Sequence, residues 1–193
     1  DASGFVPGSG AGAFVLESLE SAQERGATIY AEILGGAINN GGQRNGGSMT
    51  APNSSAIQKC IKDALKCSNT AASEIDYING HLTATIKDPD EIENWTHALG
   101  RKGKDFPYIN SLKGMTGHCL SASGSVEIVS AILQLHEGFV FPNVNRENLH
   151  PKIASLISSE KISLKMQKTS LQTIVKASFG FGDVNACVIF KKI

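Results

Sequence analysis

No stretch of this sequence is long and apolar enough to read as a membrane span. Net charge is absent too: 18 Lys and Arg stand against 18 Asp and Glu, which argues against wholesale binding of nucleic acid. The four cysteines, Cys60, Cys67, Cys119 and Cys187, have the spacing of no zinc ribbon, zinc finger or CxxC redox motif, so no metal site is expected. They suggest no disulfide framework, and no secretory signal is visible; a cytoplasmic protein with reduced thiols is the expectation. Cys60 and Cys187 fall on apolar faces and are expected in the core. The first residue is Asp1, and "DASGFVPGSGAGAFVLE" opens in mid-pattern, so the chain reads as part of something longer.

What is present suits one domain of 193 residues with a sizeable core. The basic clusters are short. Arg101-Lys102-Gly103-Lys104 and the lysines scattered from Lys161 to Lys192 read either as solvated surface or as a docking patch for an acidic partner. Gly8, Gly10 and Gly12 are no phosphate loop, since no GKS or GKT follows and Phe14-Val15-Leu16 predicts a strand; small residues there let backbone pass close to backbone.

Helices and strands alternate. The pattern predicts a helix over Ser18 to Arg25 stopped by Gly26, and a strand over Ile29 to Ile38 interrupted at Gly35-Gly36. A loop over Asn39 to Gly47 precedes a helix capped by Ser54 or Ser55, with Ile57, Cys60, Ile61, Ala64 and Leu65 on its buried face. Short strands over Ile75 to Asn79 and Tyr108 to Asn110 flank a helix over Asp90 to Leu99, which Gly100 ends. A helix over Ser123 to Glu137 is apolar in nearly every direction and calls for cover on more than one side. Strands over Gln172 to Ser178 and Asn185 to Lys191 are close enough to pair antiparallel, giving an α/β domain with a mixed sheet.

Two histidines share one design. His81 in "YINGHLTAT" and His118 in "YINSLKGMTGH" each follow a strand and sit among small or hydroxylated residues, where a ligand has room. Each reads either as a general acid–base or donor group, or as a hydrogen-bonded structural residue. Glu127 lies among Val126, Ile128 and Val129; it either pairs with a cation, for which Lys113 is the candidate, or occupies a strip that meets solvent. In "SFGFGDVN", Phe179 and Phe181 alternate with glycines in a tight connection that permits movement.

In order, "GFVPGSGAGAFVLE", "MTAP", "GHLTAT", "SLKGMTGH", "SGSVE" and "SFGFGDVN" resemble the C-terminal half of a β-ketoacyl-acyl-carrier-protein synthase. The resemblance runs from Asp1 to about Lys191, making 1–193 one C-terminal half, and implies a thiolase-like fold, in which two similar α/β halves stack in five layers and the molecule dimerises. It implies decarboxylative Claisen condensation of malonyl-carrier protein with an acyl thioester, in fatty acid or polyketide synthesis. His81 and His118 match the two active-site histidines, Lys113 the lysine that orients the second, and Glu127 its carboxylate. Thr83 and Thr85 match threonines that bind the phosphopantetheine arm; Phe181 matches the phenylalanine that gates the acyl pocket, with Phe179 near it. No tightly bound cofactor is implied; substrates ride on the phosphopantetheine of acyl carrier protein, which is the expected partner beside an N-terminal half and a second ketosynthase-type subunit.

The sequence departs from the pattern in three places. Leu82 replaces the usual glycine and adds bulk beside His81, Asp183 and Val184 alter "GFGGTN", and the Asn-Asp pair after the threonines reads Lys87-Asp88 or Asp88-Pro89. The family's nucleophilic cysteine belongs to the N-terminal half, and no cysteine here occupies its motif; Cys119, adjacent to His118, is a poor substitute. The isolated chain is therefore expected to be inactive. The competing reading, motivated by Leu82 and Asp183, is a non-catalytic partner of the chain-length-factor kind.

Overall fold

The computed structural model describes residues 4–193; the first three positions of the expected 1–193 span lie outside the described residues. The first helix, α1 (Leu19–Glu24), is capped by Ser18, whose hydroxyl oxygen accepts from the Ser21 N–H at 3.2 Å, and it stops at Gly26 with φ 66°. Phe14, Val15 and Leu16 form no strand and are 42–84% exposed, since no neighbouring strand offers them a ladder. The first strand, β1 (Glu32–Asn40), passes through Gly35-Gly36 unbroken, a register shift between Ile33 and Gly35 absorbing the irregularity.

Helix α2 (Ser54–Cys67) is capped by Asn53 and not by Ser54 or Ser55: the Asn53 side-chain oxygen accepts from the N–H groups of Ser55 at 2.9 Å and Ala56 at 3.3 Å. Ile57, Cys60, Ile61 and Ala64 face inward as the periodicity predicts. Strand β2 (Tyr77–Asn79) is shorter than expected, and helix α3 (Asp88–Leu99) starts earlier, because Pro89 suits a helix's first turn. Strand β3 (Tyr108–Asn110) leads to a four-residue helix, α4 (Lys113–Thr116), which no pattern announces. Helix α5 (Ser123–Glu137) has the predicted bounds. The paired β4 (Phe139–Val140) and β5 (Gln167–Lys168), with α6 (Pro151–Leu156) between them, are also unannounced. Strands β6 (Thr173–Gly180) and β7 (Val184–Lys191) close the chain as an antiparallel pair.

The main sheet has the order β1-β7-β6-β2-β3. β1, β7 and β6 are antiparallel neighbours, and β6, β2 and β3 run parallel, so the sheet is mixed as expected. Its two faces hold different cores. Ile78, Val175, Ala177 and Cys187 pack with α2 and α3, where Trp95 and Phe106 are wholly buried. Tyr77, Ile174 and Phe190 pack under Ala131 and Leu135 of α5. Each wholly buried large side chain contributes about 1.5–3 kcal/mol.

Helix α5 is turned in an unusual sense. It buries Ser123, Glu127, Ser130 and Gln134 against the sheet, while Leu133 is 42% exposed and Val129 and Ile132 line an outer cavity of about 690 Å³ with Tyr30 and Ile33. The buried Gln134 amide is satisfied: it donates to Tyr77 Oη at 3.0 Å and accepts from Asn110 Nδ2 at 3.0 Å. The apolar outer face is the one that calls for further cover. Among the described residues no helix is long and apolar enough to cross a membrane.

Candidate active site

His81 sits two residues past the end of β2, behind Gly80. Its turn is held from beneath by two carboxylates of α3. Glu91 accepts from the N–H groups of His81 and Leu82, each at 2.8 Å, and Asp88 accepts from Thr83 and Ala84 at 3.0 Å and from Thr85 at 3.3 Å. Three amides on one carboxylate hold Ala84 at φ 59°, a conformation few non-glycine residues adopt. Burial pushes Glu91 up to about 7, with Asp88 adding to the rise, and burial raises Asp88 as well.

His118 follows Gly117, whose φ of 71° and close contacts leave no room for a side chain. The N-terminal segment lies against it. The His118 N–H donates to the Val6 carbonyl at 2.7 Å, the Gly8 N–H donates to the His118 carbonyl at 3.0 Å, and the Phe5 ring lies 5.1 Å from the imidazole. A Cβ on Gly12 would come within 2.5 Å of the Ser125 carbonyl carbon, so the glycines serve close backbone packing as their small size predicts. The backbone N–H of Leu120 donates to His118 Nδ1 at 3.0 Å, with Ser123 Oγ at 3.1 Å. A backbone amide can only donate, so Nδ1 is the acceptor and the neutral ring carries its proton on Nε2.

The two imidazoles face each other edge to face, their centroids 5.4 Å apart. Behind them Lys113 Nζ lies 2.5 Å from Glu127 Oε1, and Glu127 is 1% exposed, so its carboxylate is paired and not solvated. A second ammonium, Lys176 Nζ, lies 2.8 Å from Glu127 Oε2. Lys176 is 3% exposed, which corrects the expectation that the lysines from Lys161 to Lys192 are all surface or docking residues. Burial lowers the His81 pKa to about 2, helped by the charges of Lys113 and Lys176. Burial and Lys113 also lower His118, and burial together with Lys176 lowers Lys113. Both imidazoles are therefore neutral at pH 7, and a neutral imidazole offers one N–H donor to a developing negative oxygen.

A cavity of about 400 Å³ opens onto this pair. His81, His118, Thr83, Thr85, Phe179 and Phe181 all line it, whereas Lys113 and Glu127 stand behind the histidines. The Thr83 and Thr85 hydroxyls are 3.1 Å apart. Phe179 is buried beside Trp95, 6.1 Å between ring centroids, while Phe181 is 58% exposed at the mouth with its edge toward Phe5. Among the described residues no group of three or more His, Cys, Asp or Glu is placed to hold a metal ion.

The two departures that suggested bulk and charge in the pocket act elsewhere. Leu82 points into the core beside α2 and α3 and does not line the cavity. Asp183, wholly buried at φ 64°, accepts from the backbone N–H groups of Gln43 at 3.0 Å and Asn53 at 2.8 Å, tying the Phe181 turn to the loop before α2. Cys119 is buried and lines no part of the cavity. Arg101 is spent on structure, its Nη1 donating to the carbonyls of Ala72 at 3.0 Å and Ile75 at 2.7 Å. The sequence reading missed Lys176 and Glu91. A lysine between Val175 and Ala177 in a strand run, and a glutamate on the apolar side of α3 beside Ile92 and Trp95, were the available signals.

The β-ketoacyl synthase C-terminal domain family matches residues 30–147. The chain is 37% identical over 191 residues to the 3-oxoacyl-[acyl-carrier-protein] synthase 1 of Escherichia coli strain K12, matching 98% of this chain and 44% of that protein. It is 36% identical over 190 residues to the chloroplastic 3-oxoacyl-[acyl-carrier-protein] synthase II of Arabidopsis thaliana, matching 97% of this chain and 34% of that protein. The chain thus spans less than half the length of these curated relatives. Among solved structures, the ishigamide ketosynthase/chain length factor superposes with a TM-score of 0.89 at 29% identity, covering 100% of this chain and 45% of that one. A type II PKS acyl-carrier protein in complex with its ketosynthase bound to the hexaketide gives a TM-score of 0.81 at 32% identity, covering 92% of this chain and 42% of that one. The α/β fold with its mixed sheet is that of these ketosynthases, the thiolase-like fold.

Proposed function

Because the chain belongs to the β-ketoacyl synthase family, as its C-terminal domain, we propose that it is the histidine-bearing half of a decarboxylating condensing enzyme of fatty acid or polyketide synthesis. The observation that carries the reading is the facing pair of neutral imidazoles, 5.4 Å apart at one cavity, with the Lys113–Glu127 pair behind. In this reading the other half supplies the nucleophilic cysteine and packs over the apolar outer side of α5. The thiol of that cysteine takes the acyl group from a donor thioester, whose own thiol is released. Malonyl on acyl carrier protein then loses carbon dioxide, and its electron pair becomes an enolate whose oxygen takes hydrogen bonds from His81 and His118. The enolate carbon attacks the acyl thioester, the tetrahedral oxyanion collapses, and the cysteine leaves as thiolate.

The supporting roles follow from position. Thr83 and Thr85 offer hydroxyls to the phosphopantetheine arm along the cavity wall, and Phe181 stands at the mouth as the gate to the acyl pocket. Acyl carrier protein and a second ketosynthase-type subunit are the partners this function requires. The non-catalytic alternative loses its motive, since neither Leu82 nor Asp183 lines the cavity. The test uses the naturally encoded protein with malonyl-carrier protein. Carbon dioxide release should fall at least about a hundredfold in His118→Ala, the scale of one lost oxyanion donor. Unchanged release in that variant, or none from the wild type, refutes the reading.

A further inference from the structure

Lys176 has no role in the function read above, yet it brings a second cation to the site. β6 pairs with β2 in parallel, Lys176 opposite Asn79, so the same strand carries Ser178 to the sheet edge where His81 leaves β2. Strand alternation places Ile174, Lys176 and Ser178 on the α5 side. Lys176 Nζ lies 2.8 Å from Glu127 Oε2, donates to Ser178 Oγ at 3.1 Å, and also reaches the Ala177 carbonyl oxygen. An ammonium has only donors, so Ser178 Oγ is the acceptor there and its own proton goes elsewhere. Ser178 lines the cavity beside His81 and His118, and among the described residues no protein group accepts its proton.

We propose that Ser178 is a further ligand-binding donor of this site and Lys176 its positioning residue, the O–H aimed into the cavity at an oxygen of a bound malonyl-type thioester. Accepting from an ammonium polarises the hydroxyl and strengthens the bond it donates. Buried with Glu127, Lys176 also adds a positive charge behind both imidazoles. The charged groups acting on His118 are Lys113 from α4, Glu127 from α5 and Lys176 from β6, with His81 facing it from the turn after β2. Losing the Lys176 charge makes an imidazolium less costly there.

The inference rests on the condensing reading, and the experiment separates the two. The naturally encoded protein is titrated with a non-hydrolysable malonyl-pantetheine amide, and the imidazole of His118 is followed by NMR against pH. Ser178→Ala should weaken amide binding about tenfold, about 1.4 kcal/mol, and leave the His118 titration where it is. Lys176→Met should weaken binding similarly and move the titration to higher pH, and Lys176→Arg should return it toward the wild type. Binding within about twofold of wild type in Ser178→Ala, or an unmoved His118 titration in folded Lys176→Met, overturns the inference. If Lys176→Met does not fold, Ser178→Ala decides alone. Serine-dependent binding without decarboxylation of malonyl-carrier protein keeps the inference and sinks the condensing reading. Decarboxylation with serine-independent binding does the reverse, and a wild type that does not bind the amide overturns both.

Discussion

Replacing Glu127 by Gln removes the one anion between two buried ammoniums. At 2.5 and 2.8 Å, each ion pair carries about 6–7 kcal/mol of gross Coulomb attraction at an effective dielectric constant of about 20. Most of that offsets taking three charges out of water, at several kcal/mol each, so the intact cluster contributes little net stability. Its loss is another matter, because Lys113 and Lys176 then face each other unpaired, at a cost of about 3–5 kcal/mol. In a protein of this size about 1 kcal/mol moves the melting temperature by about 2–4 °C, so calorimetry at pH 7 should register a fall of about 6–20 °C. The side chains are only 2–5% exposed, so salt should change this little. Burial and Lys176 already favour the neutral form of Lys113, so the variant should recover part of the loss as pH rises and Lys113 sheds its proton. The charge-free combination Lys113→Met, Glu127→Leu, Lys176→Met should be more stable than Glu127→Gln alone. A melting temperature within about 2 °C of wild type for Glu127→Gln, or a charge-free variant less stable than it, refutes the reasoning.

Two buried groups should tune stability with pH in opposite senses. His81 titrates at about 2 against an ordinary 6.5, so its contribution is present above pH 6.5 and is lost as pH falls toward 2. Glu91 titrates at about 7 against an ordinary 4.5, so its contribution is present below pH 4.5 and is lost as pH rises through 7. From about pH 4.5 to 6.5 the two slopes cancel. Relative to wild type, His81→Asn should therefore gain, and Glu91→Gln should lose, about 3 kcal/mol on acidification across that window, read by urea unfolding; parallel curves for both variants would count against it. Asp183→Gly keeps the left-handed backbone but deletes two charge-assisted acceptors, so hydrogen exchange at the Gln43 and Asn53 amides should speed up by at least about tenfold, and unchanged protection would refute the tie. Gly12→Val should undock the N-terminal segment from α5 and lower the melting temperature by about 5 °C or more, and a neutral result would show that the close approach is dispensable.

Much of the architecture was legible because it rests on local signals. The 3.6-residue period of Ile57, Cys60, Ile61 and Ala64 marked α2, and glycines at positive φ ended α1 and α3 where expected. Readings that depend on distant partners failed. Phe14-Val15-Leu16 has the composition of a strand, but a strand exists only beside another, and none lies there. The cap of α2 went to Asn53 because its amide also donates to the Arg44 carbonyl at 2.9 Å, a contact absent from the neighbouring serines. At the site, His81, His118, Lys113 and Glu127 were readable as a set, and Lys113 was named as the carboxylate's partner. Lys176 was not, since nothing local distinguishes a strand lysine that points to solvent from one that points at Glu127. Asp183 misled for a similar reason: beside Phe181 in the chain, its carboxylate turns away toward Gln43 and Asn53.

The N-terminal segment bears on the order in which the molecule assembles. Gly4 donates to the Ala84 carbonyl, Val6 and Gly8 pair with His118, and Gly12 lies against Ser125. This segment thus waits for partners made far later in the chain. Contacts of such sequence separation form late, because loop-closure entropy opposes them until the intervening elements are in place. The imidazole of His118 acquires its Phe5 neighbour only at that last step. Folding intermediates with a complete sheet and helices will therefore still lack a finished cavity wall, and recovery of ligand binding will lag behind recovery of secondary structure.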